Sequence, residues 1–427
     1  VNPPLPEQGG AGGGWRSEGL DAPSAALRND RRSSLPLAPT PSPSLGREGS
    51  LALYIHWPFC VSKCPYCDFN SHVRDSVDQH AWRTALLADL AYEAAQLPDR
   101  TLTSIFFGGG TPSLMPPETV AALIDAAANH WSFAPDIEIT LEANPNSIEA
   151  ARFGDIAAAG VNRVSLGLQA LDNDALHYLG RAHDVTEGLA GLDTAQRAFE
   201  RVSFDLIYAR PDQSPESWEA ELARALNFGT EHLSLYQLTI EPGTQFAARQ
   251  AKGDLPTLDT DRAALLFEQT RVQTAAAGLP AYEISNHARP GAESRHNLTY
   301  WRYGDYAGIG PGAHGRRNRL ATVRRKKPEN WIARVTANGH GMESEDDLSP
   351  AMRAQEALLM GLRLAEGIDA ADIAERTGVA AQDLLHWPKV ASLQGHGLLS
   401  RDGDRIALTE AGMLLLDAIL AEIVAIQ

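Results

Sequence analysis

Cys60, Cys64 and Cys67 stand within eight residues, in the stretch Tyr54-Ile-His-Trp-Pro-Phe-Cys-Val-Ser-Lys-Cys-Pro-Tyr-Cys-Asp-Phe69, and the rest of the 427-residue chain has no cysteine. An odd number of thiols so closely spaced cannot form a disulfide framework, which makes a metal or cluster the first chemistry to consider. Three thiolates on one tight loop can hold three corners of a cubane iron–sulfur cluster. The fourth iron is then left for an exchangeable ligand. Two alternatives stand beside this one. Zinc takes four protein ligands in structural sites, and His56 or His72 could complete a Cys3His set. Free cysteine is also readily buried as a small hydrophobe with no ligand at all.

The elements that must position such a loop follow from the hydrophobic pattern. From Leu51, short β-rich runs (51–56, 104–107, 137–142, 162–168, 202–208, 232–240 and a weaker one near 281–285) alternate with amphipathic stretches. The latter include 78–97, 117–130, 147–159, 186–199, 214–226 and 257–277. Strands separated by helical crossovers predict βαβ units and a parallel sheet. Six such units make an α/β fold, a partial (β/α)6 TIM-like barrel rather than a closed eight-stranded one. Domain boundaries follow as 1–50 for an N-terminal tail, 51–285 for the barrel, 286–349 for a connecting segment and 350–427 for a C-terminal unit.

Polar residues gather at one set of strand ends, where β/α barrels carry their chemistry. The cysteine loop follows the first strand, Gly108-Gly109-Gly110-Thr111-Pro112 the second, and Glu142-Ala-Asn144-Pro145 the third. Gln169 ends the fourth, Asp205 lies in the fifth and Tyr236-Gln237 in the sixth. The glycine run could let free backbone N–H and C=O groups meet a polar ligand head, or be a tight turn. Glu142, Gln169 and Asp205 could position ribose hydroxyls or an ammonium, and Arg181 could pair with a carboxylate. Each has a plain reading as a solvated side chain, and their shared address is what argues for one site.

Cys-x3-Cys-x2-Cys followed by a β-rich run and Gly-Gly-Gly-Thr-Pro resembles the radical S-adenosylmethionine (SAM) superfamily. That resemblance implies a 4Fe–4S cluster on Cys60, Cys64 and Cys67, whose open iron chelates SAM and whose reduction cleaves it to a 5′-deoxyadenosyl radical. Leu-Tyr-Ile-His-Trp-Pro-Phe-Cys, Phe-Gly-Gly-Gly-Thr-Pro-Ser, Ser-Leu-Gly-Leu-Gln and Asp-Leu-Ile-Tyr are similar to the oxygen-independent coproporphyrinogen III oxidase group. By that resemblance Tyr54, Gly109, Gly110, Thr111, Glu142, Gln169, Arg181 and Asp205 contact SAM, and His314, in Gly-Ile-Gly-Pro-Gly-Ala-His, lies near its adenosine. Gln169, Arg181 and Asp205 also resemble the shell around a second SAM in the oxidases.

Two departures point to the heme-chaperone branch of the same group. The oxidases carry a further cysteine two residues past the third ligand, where this chain has Phe69. Arg295-His296-Asn297-Leu298-Thr299-Tyr300-Trp301 matches the HNxxYW signature of the chaperones. His296 could then be an axial ligand to heme iron, with Tyr300 and Trp301 against the macrocycle. The plain reading is a hydrogen-bonded core histidine beside packed aromatics. The resemblance implies heme and heme-acceptor proteins as partners, with porphyrin decarboxylation as the alternative activity. Whether SAM is cleaved is left open.

Composition sets the remaining limits. A formal charge of −17 lacks the basic footprint of a nucleic-acid binder. No apolar run is long enough to span a bilayer, no secretory pattern opens the sequence, and thiols that must stay reduced suit the cytoplasm. Residues 1–50 hold sixteen Gly and Pro with no apolar period, the composition of a disordered tail. Arg316, Arg317, Arg319, Arg324, Arg325, Lys326 and Lys327 form a cationic run, by default a solvated loop. It could otherwise serve heme propionates or a peripheral contact with anionic lipid. From 350 onward the pattern is helical, with a hairpin signal at Asp402-Gly403, predicting a winged-helix-like domain. Its six Lys/Arg against eleven Asp/Glu disfavour DNA. Homodimerisation is left open.

Overall fold

The computed structural model describes residues 49–425. The stretch read as a disordered tail therefore lies, apart from its last two residues, outside the described part. Strand β1 (Ser50–Trp57) buries Leu51, Leu53, Ile55 and Trp57 completely on one face and carries Ala52, Tyr54 and His56 on the other. The same period of two runs through β2 (Thr101–Gly109), β3 (Ser132–Ala143), β4 (Arg163–Gln169), β5 (Arg201–Tyr208) and β6 (His232–Gln237). These six pair side by side in sequence order, all parallel.

Parallel neighbours need crossovers. These are α1 (Gln79–Gln96), α2 (Pro117–His130), α3 (Phe153–Ala158), α4 (Val185–Ala198) and α5 (Pro215–Leu226), with α6 (Thr260–Ala276) after β6. Asp78, Asp184, Ser214 and Asp259 start four of them by accepting a hydrogen bond from the backbone N–H three residues on. Strand residues such as Leu53, Leu141, Leu166 and Phe204 share one core with helix residues such as Leu86, Leu123, Leu192 and Leu222.

The opposite strand faces are polar. They carry Glu138, Thr140 and Glu142 on β3, Arg163, Ser165 and Gln169 on β4, Ser203 and Asp205 on β5, and His232, Ser234 and Tyr236 on β6. A closed barrel is usually filled by branched apolar layers; this one holds a hydrogen-bonded interior and stays open. β7 (Asn286–Ala288) pairs antiparallel with β6, helix α7 (Arg295–Trp301) follows, and β8 (Tyr306–Ile309) returns parallel to β1. His296 of α7 reaches Ser104 of β2, so the helix lies across the opening.

The segment 286–349, read from the sequence as a connector with a solvated cationic run, is instead an extension of the sheet. β9 (His314–Arg317), β10 (Leu320–Arg324) and β11 (Met342–Asp347) add antiparallel to β8, with α8 (Pro328–Asn338) between the last two. The sheet order is β11-β10-β9-β8-β1-β2-β3-β4-β5-β6-β7. Arg316, Arg317 and Arg324 are 7%, 2% and 0% exposed. Arg324 pairs with Asp89 at 3.2 Å and Glu93 at 2.6 Å, and Arg317 pairs with Glu93 at 2.7 Å and with Glu345. Arg316 pairs with Glu356, and Arg325 with Glu343 at 2.9 Å. Apart from the half-exposed Arg325–Glu343 pair, these guanidinium groups are spent inside the protein, because carboxylates on α1, β11 and the next helix meet them. Arg319, Lys326 and Lys327 of the run are exposed.

The C-terminal part has its own core. Helix α9 (Pro350–Gly361), β12 (Ile368–Asp369), α10 (Ala370–Thr377), α11 (Trp387–Gly395), the hairpin β13 (Leu399–Asp402) and β14 (Arg405–Leu408), and α12 (Leu416–Ile423) build a helix–helix–wing arrangement. Leu358, Leu362, Ile368, Ile406, Leu408, Ile419 and Ile423 form its centre, and Phe267 of α6 joins it from the barrel. Gly403 supplies the positive φ the Asp-Gly turn needs. A short helical turn at Ala381–Leu384 precedes the longer α11, which starts at Trp387. Pro388 sits in its first turn, where a missing N–H costs nothing.

Replacing Arg324 with Met would leave Asp89 and Glu93 buried without their shared guanidinium, an expected loss of about 3–5 kcal/mol. Urea unfolding should show it as a clear fall in midpoint, whereas Arg319→Ala at the exposed turn should stay within about 0.5 kcal/mol of the parent.

Candidate functional site

Where the six strand ends meet the C-terminal domain lies a cavity of about 790 Å³. Cys60, Cys64, Cys67, Gly109, Gly110, Thr111, Glu142, Gln169, Arg181 and Asp205 all line it. Three other residues singled out from the sequence do not: Tyr54, His296 and His314 lie outside its lining.

The cysteine loop is held from several sides. Cys67 N–H donates to the Cys64 carbonyl at 3.2 Å, giving the loop its tight turn. Each sulfur then meets one polar side chain from a different place. Thr111 Oγ1 donates to Cys60 Sγ at 3.4 Å, Arg181 Nη1 to Cys64 Sγ at 3.3 Å, and Ser71 Oγ lies 3.7 Å from Cys67 Sγ. Three thiols sharing one cavity and one donor apiece suit a cluster bound at three corners, since hydrogen bonds to sulfur tune such a group.

The zinc alternative needs a fourth ligand, and the two histidines proposed for it are turned elsewhere. His56 bonds Tyr54 OH through Nδ1 and the Asn70 carbonyl through Nε2, while His72 Nε2 meets Asn70 Oδ1 at 3.1 Å. Among the described residues, no group of three or more His, Cys, Asp or Glu side chains converges as a single metal ion would require.

The glycine run behaves differently from the free-backbone reading. Gly109 N–H donates to Glu142 Oε2 at 3.2 Å, Gly110 N–H to the Trp57 carbonyl at 2.7 Å and Thr111 N–H to the Phe59 carbonyl at 2.8 Å. The last two donors anchor β2 to the start of the cysteine loop and the first ties it to Glu142 on β3, so all three are already engaged. Glycine is required because a Cβ on Gly109 would fall 2.5 Å from the His56 ring, and one on Gly110 2.7 Å from the Phe59 carbonyl.

Two carboxylates sit deep in the cavity. Burial, then the charge of Asp205, pushes Glu142 up to about 8. Burial pushes Asp205 up to about 6, against the pull of hydrogen bonds from Ser234 and Ser165. Glu142 is thus neutral or charged depending on what approaches it. Gln169 carries a φ of +69°, a left-handed conformation unfavourable for a residue with a Cβ and often found where a strand end is bent toward a ligand.

Arg181 ties the floor of the site together. Besides Cys64 it donates to Asn144 Oδ1 at 2.5 Å, the Gly167 carbonyl at 2.9 Å and Tyr66 OH at 3.5 Å. Asn144 is in turn held by Glu149, a buried carboxylate that accepts from Asn144 N at 2.8 Å, Asn144 Nδ2 at 3.1 Å, Asn146 Nδ2 at 2.7 Å and Ser113. Sequence reasoning missed Glu149. Its signal was Asn146-x-x-Glu149, a helix-start pattern whose cap bond, Glu149 N to Asn146 Oδ1 at 3.0 Å, is present. Asn70 was missed as well. It donates to the Pro311 carbonyl at 2.8 Å and the Lys326 carbonyl at 2.9 Å, locking the cysteine loop to the sheet extension.

His296 is 1% exposed, with Ser104 Oγ 2.9 Å from Nδ1 and Tyr300 OH 2.5 Å from Nε2. Burial, with Arg163 nearby, lowers it to about 3, so the ring is neutral. Both ring nitrogens are engaged, and the ring stacks on Phe106 with centroids 4.9 Å apart. As folded, it is a packed histidine with no nitrogen facing the cavity. Trp301, at the other end of the same helix, does line the cavity.

The model of the radical SAM superfamily matches residues 54–225, and that of the HemN C-terminal domain matches 348–415. The chain is 39% identical to a mouse protein named radical S-adenosyl methionine domain-containing protein 1, mitochondrial, over 93% of this chain and 91% of that one. It is 38% identical to the heme chaperone HemW of Escherichia coli, over 87% of this chain and 97% of that one. The solved coproporphyrinogen III oxidase of Escherichia coli, described as a radical SAM enzyme, shares the fold. Its TM-score is 0.73 at 24% identity, covering 87% of this chain and 89% of that one.

Anaerobic reconstitution with iron and sulfide should load about four of each per chain. Cys60→Ser, Cys64→Ser and Cys67→Ser should each lose most of that content, and zinc retained at one per chain in place of iron would contradict the cluster.

Proposed function

The chain belongs to the radical SAM superfamily, on the branch of HemW and radical SAM domain-containing protein 1, and from that premise we propose that it is a heme chaperone. It binds heme and passes it to acceptor proteins, such as respiratory-chain components, on a scaffold that holds a 4Fe–4S cluster and SAM. The supporting observation is coverage with identity: 38% over nearly all of a bacterial heme chaperone, against 24% to the oxidase. Phe69, 39% exposed and lining the cavity where the oxidases carry a fourth cysteine, agrees with it.

Cys60, Cys64 and Cys67 hold the cluster, and Thr111, Arg181 and Ser71 donate to its sulfur ligands. The cluster with SAM, when bound, supplies one-electron chemistry. Glu142, Gln169 and Asp205 face the same space and orient the cofactor's polar groups, while Gly109 and Gly110 keep the strand end close to the loop. The reduced thiols suit a reducing compartment such as the cytoplasm, and no helix among the described residues is long and apolar enough to cross a membrane. Of the surfaces suggested for anionic lipid, only Arg319, Lys326 and Lys327 remain exposed, which weakens that contact.

The second reading is an oxygen-independent coproporphyrinogen III oxidase, favoured by the shared fold alone. Reconstituted protein with SAM and reductant should bind heme in a defined ratio and leave coproporphyrinogen III unconverted; turnover to protoporphyrinogen IX would reverse the choice.

Glu142 gives a further test. The group is neutral below about 8 and charged above it, so affinity for the cationic SAM should rise by about tenfold between about pH 7 and pH 9. Isothermal titration with Glu142→Gln should lose that rise; an unchanged pH profile in the variant would remove Glu142 from the SAM site.

A further inference from the structure

The wall of the cavity facing away from the cysteines comes from the C-terminal half: Trp301 at the end of α7, with Leu359, Met360 and Arg363 on and just after α9. Helical spacing puts Glu356, Leu359, Met360 and Arg363 on one side of this helix, while Ala354, Leu358 and Leu362 turn into the C-terminal core. The wall is held rigidly. Arg302 bonds Glu366 through two nitrogens at 2.7 and 2.9 Å, and Tyr303 OH donates to Glu356 at 2.6 Å. At the start of α7, the Ser104–His296–Tyr300 chain fixes the helix in the barrel opening.

Arg363 is the charged member. Nη1 donates to the Leu359 carbonyl at 2.6 Å and Nη2 to Asp417 at 3.2 Å. A guanidinium has five N–H donors in a planar fork, so these bonds leave capacity toward the cavity. An indole face, a leucine, a thioether and a guanidinium together suit a flat, largely apolar ligand that carries carboxylates.

We infer that Trp301, Leu359, Met360 and Arg363 form the heme-contacting wall, with Arg363 taking a propionate, while His296 and Tyr300 position α7 without touching the ligand. This rests on the heme-chaperone reading and locates its ligand within the same cavity. The roles inside Arg295–Trp301 are thereby divided: the histidine end holds the helix, and the tryptophan end meets the ligand.

The test is titration of the full-length protein with hemin and with hemin dimethyl ester, followed by absorbance and by melting temperature. Trp301→Ala and Arg363→Met should each weaken hemin binding by about tenfold or more, with Arg363→Lys recovering part of the loss. The ester, which has no free carboxylate, should bind parent and Arg363→Met alike. His296→Gln should lower the melting temperature yet leave the heme spectrum and the affinity of the folded protein unchanged. Parent-like hemin binding by both wall variants would overturn the assignment, as would a changed heme spectrum in His296→Gln. If Arg363→Met is too unstable to titrate, equal affinity of the parent for hemin and its ester overturns the propionate contact. No hemin binding by the parent would instead remove the chaperone reading and the wall with it.

Discussion

The buried cluster of Asp89, Glu93, Arg317 and Arg324 carries the rest of the architecture. Two carboxylates one helical turn apart on α1 meet two guanidinium groups from the sheet extension, and all four side chains are within a few per cent of complete burial. Charges removed from water this far are tolerable only when fully paired and hydrogen-bonded. Asp89 meets that condition by also accepting from Gly310 N at 3.1 Å and Gly341 N at 3.0 Å. The extension is thereby fixed in register against the first crossover helix. Its carbonyls at Pro311 and Lys326 then hold Asn70, and Asn70 holds the cysteine loop. Gly312 is needed at that junction, since a Cβ there would fall 2.4 Å from Asn70 Nδ2. An ion cluster remote from the thiols thus decides where they stand.

The cavity follows from the same economy of burial. A barrel that closes on eight strands fills itself with apolar layers, whereas six strands leave an opening and an interior that must satisfy polar groups. Two similar chains do this on the inner face, Ser104–His296–Tyr300 and Ser203–His232–Tyr282. Burial keeps both imidazoles neutral, so each can give one hydrogen bond and accept another. Above them, Glu142 and Asp205 remain close together with raised proton affinities, ready to respond to a cationic or hydroxyl-bearing ligand. The C-terminal domain closes the remaining side.

Much of this was legible beforehand. The β-rich run 51–56 marked the first strand, and the parallel pairing followed from the helical crossovers between successive strands. The strand-end grouping of Gly109, Glu142, Gln169 and Asp205 identified a common site, because strands of one parallel sheet end on the same side. The extension was not legible. His-Gly-Arg-Arg and Met-Glu-Ser-Glu-Asp-Asp have no apolar period, since what they bury are ion pairs. Charge runs in sequence carry no record of the carboxylates that will neutralise them, which is why Arg317 and Arg324 read as solvent-facing.

By itself, then, the sequence determined the cysteine loop, the six-strand barrel and the side of it where the polar strand ends gather, because all three are written in local spacing and period. Only the tertiary structure decided which residues of those motifs face the cavity. His296 and Trp301 are five residues apart on one short helix, and helical geometry with the Ser104 and Tyr300 bonds turns one into the packed interior and the other toward the cavity. The donors on Cys60 and Cys64 were equally invisible, since Thr111 and Arg181 reach the thiols only after elements distant in sequence have been brought side by side.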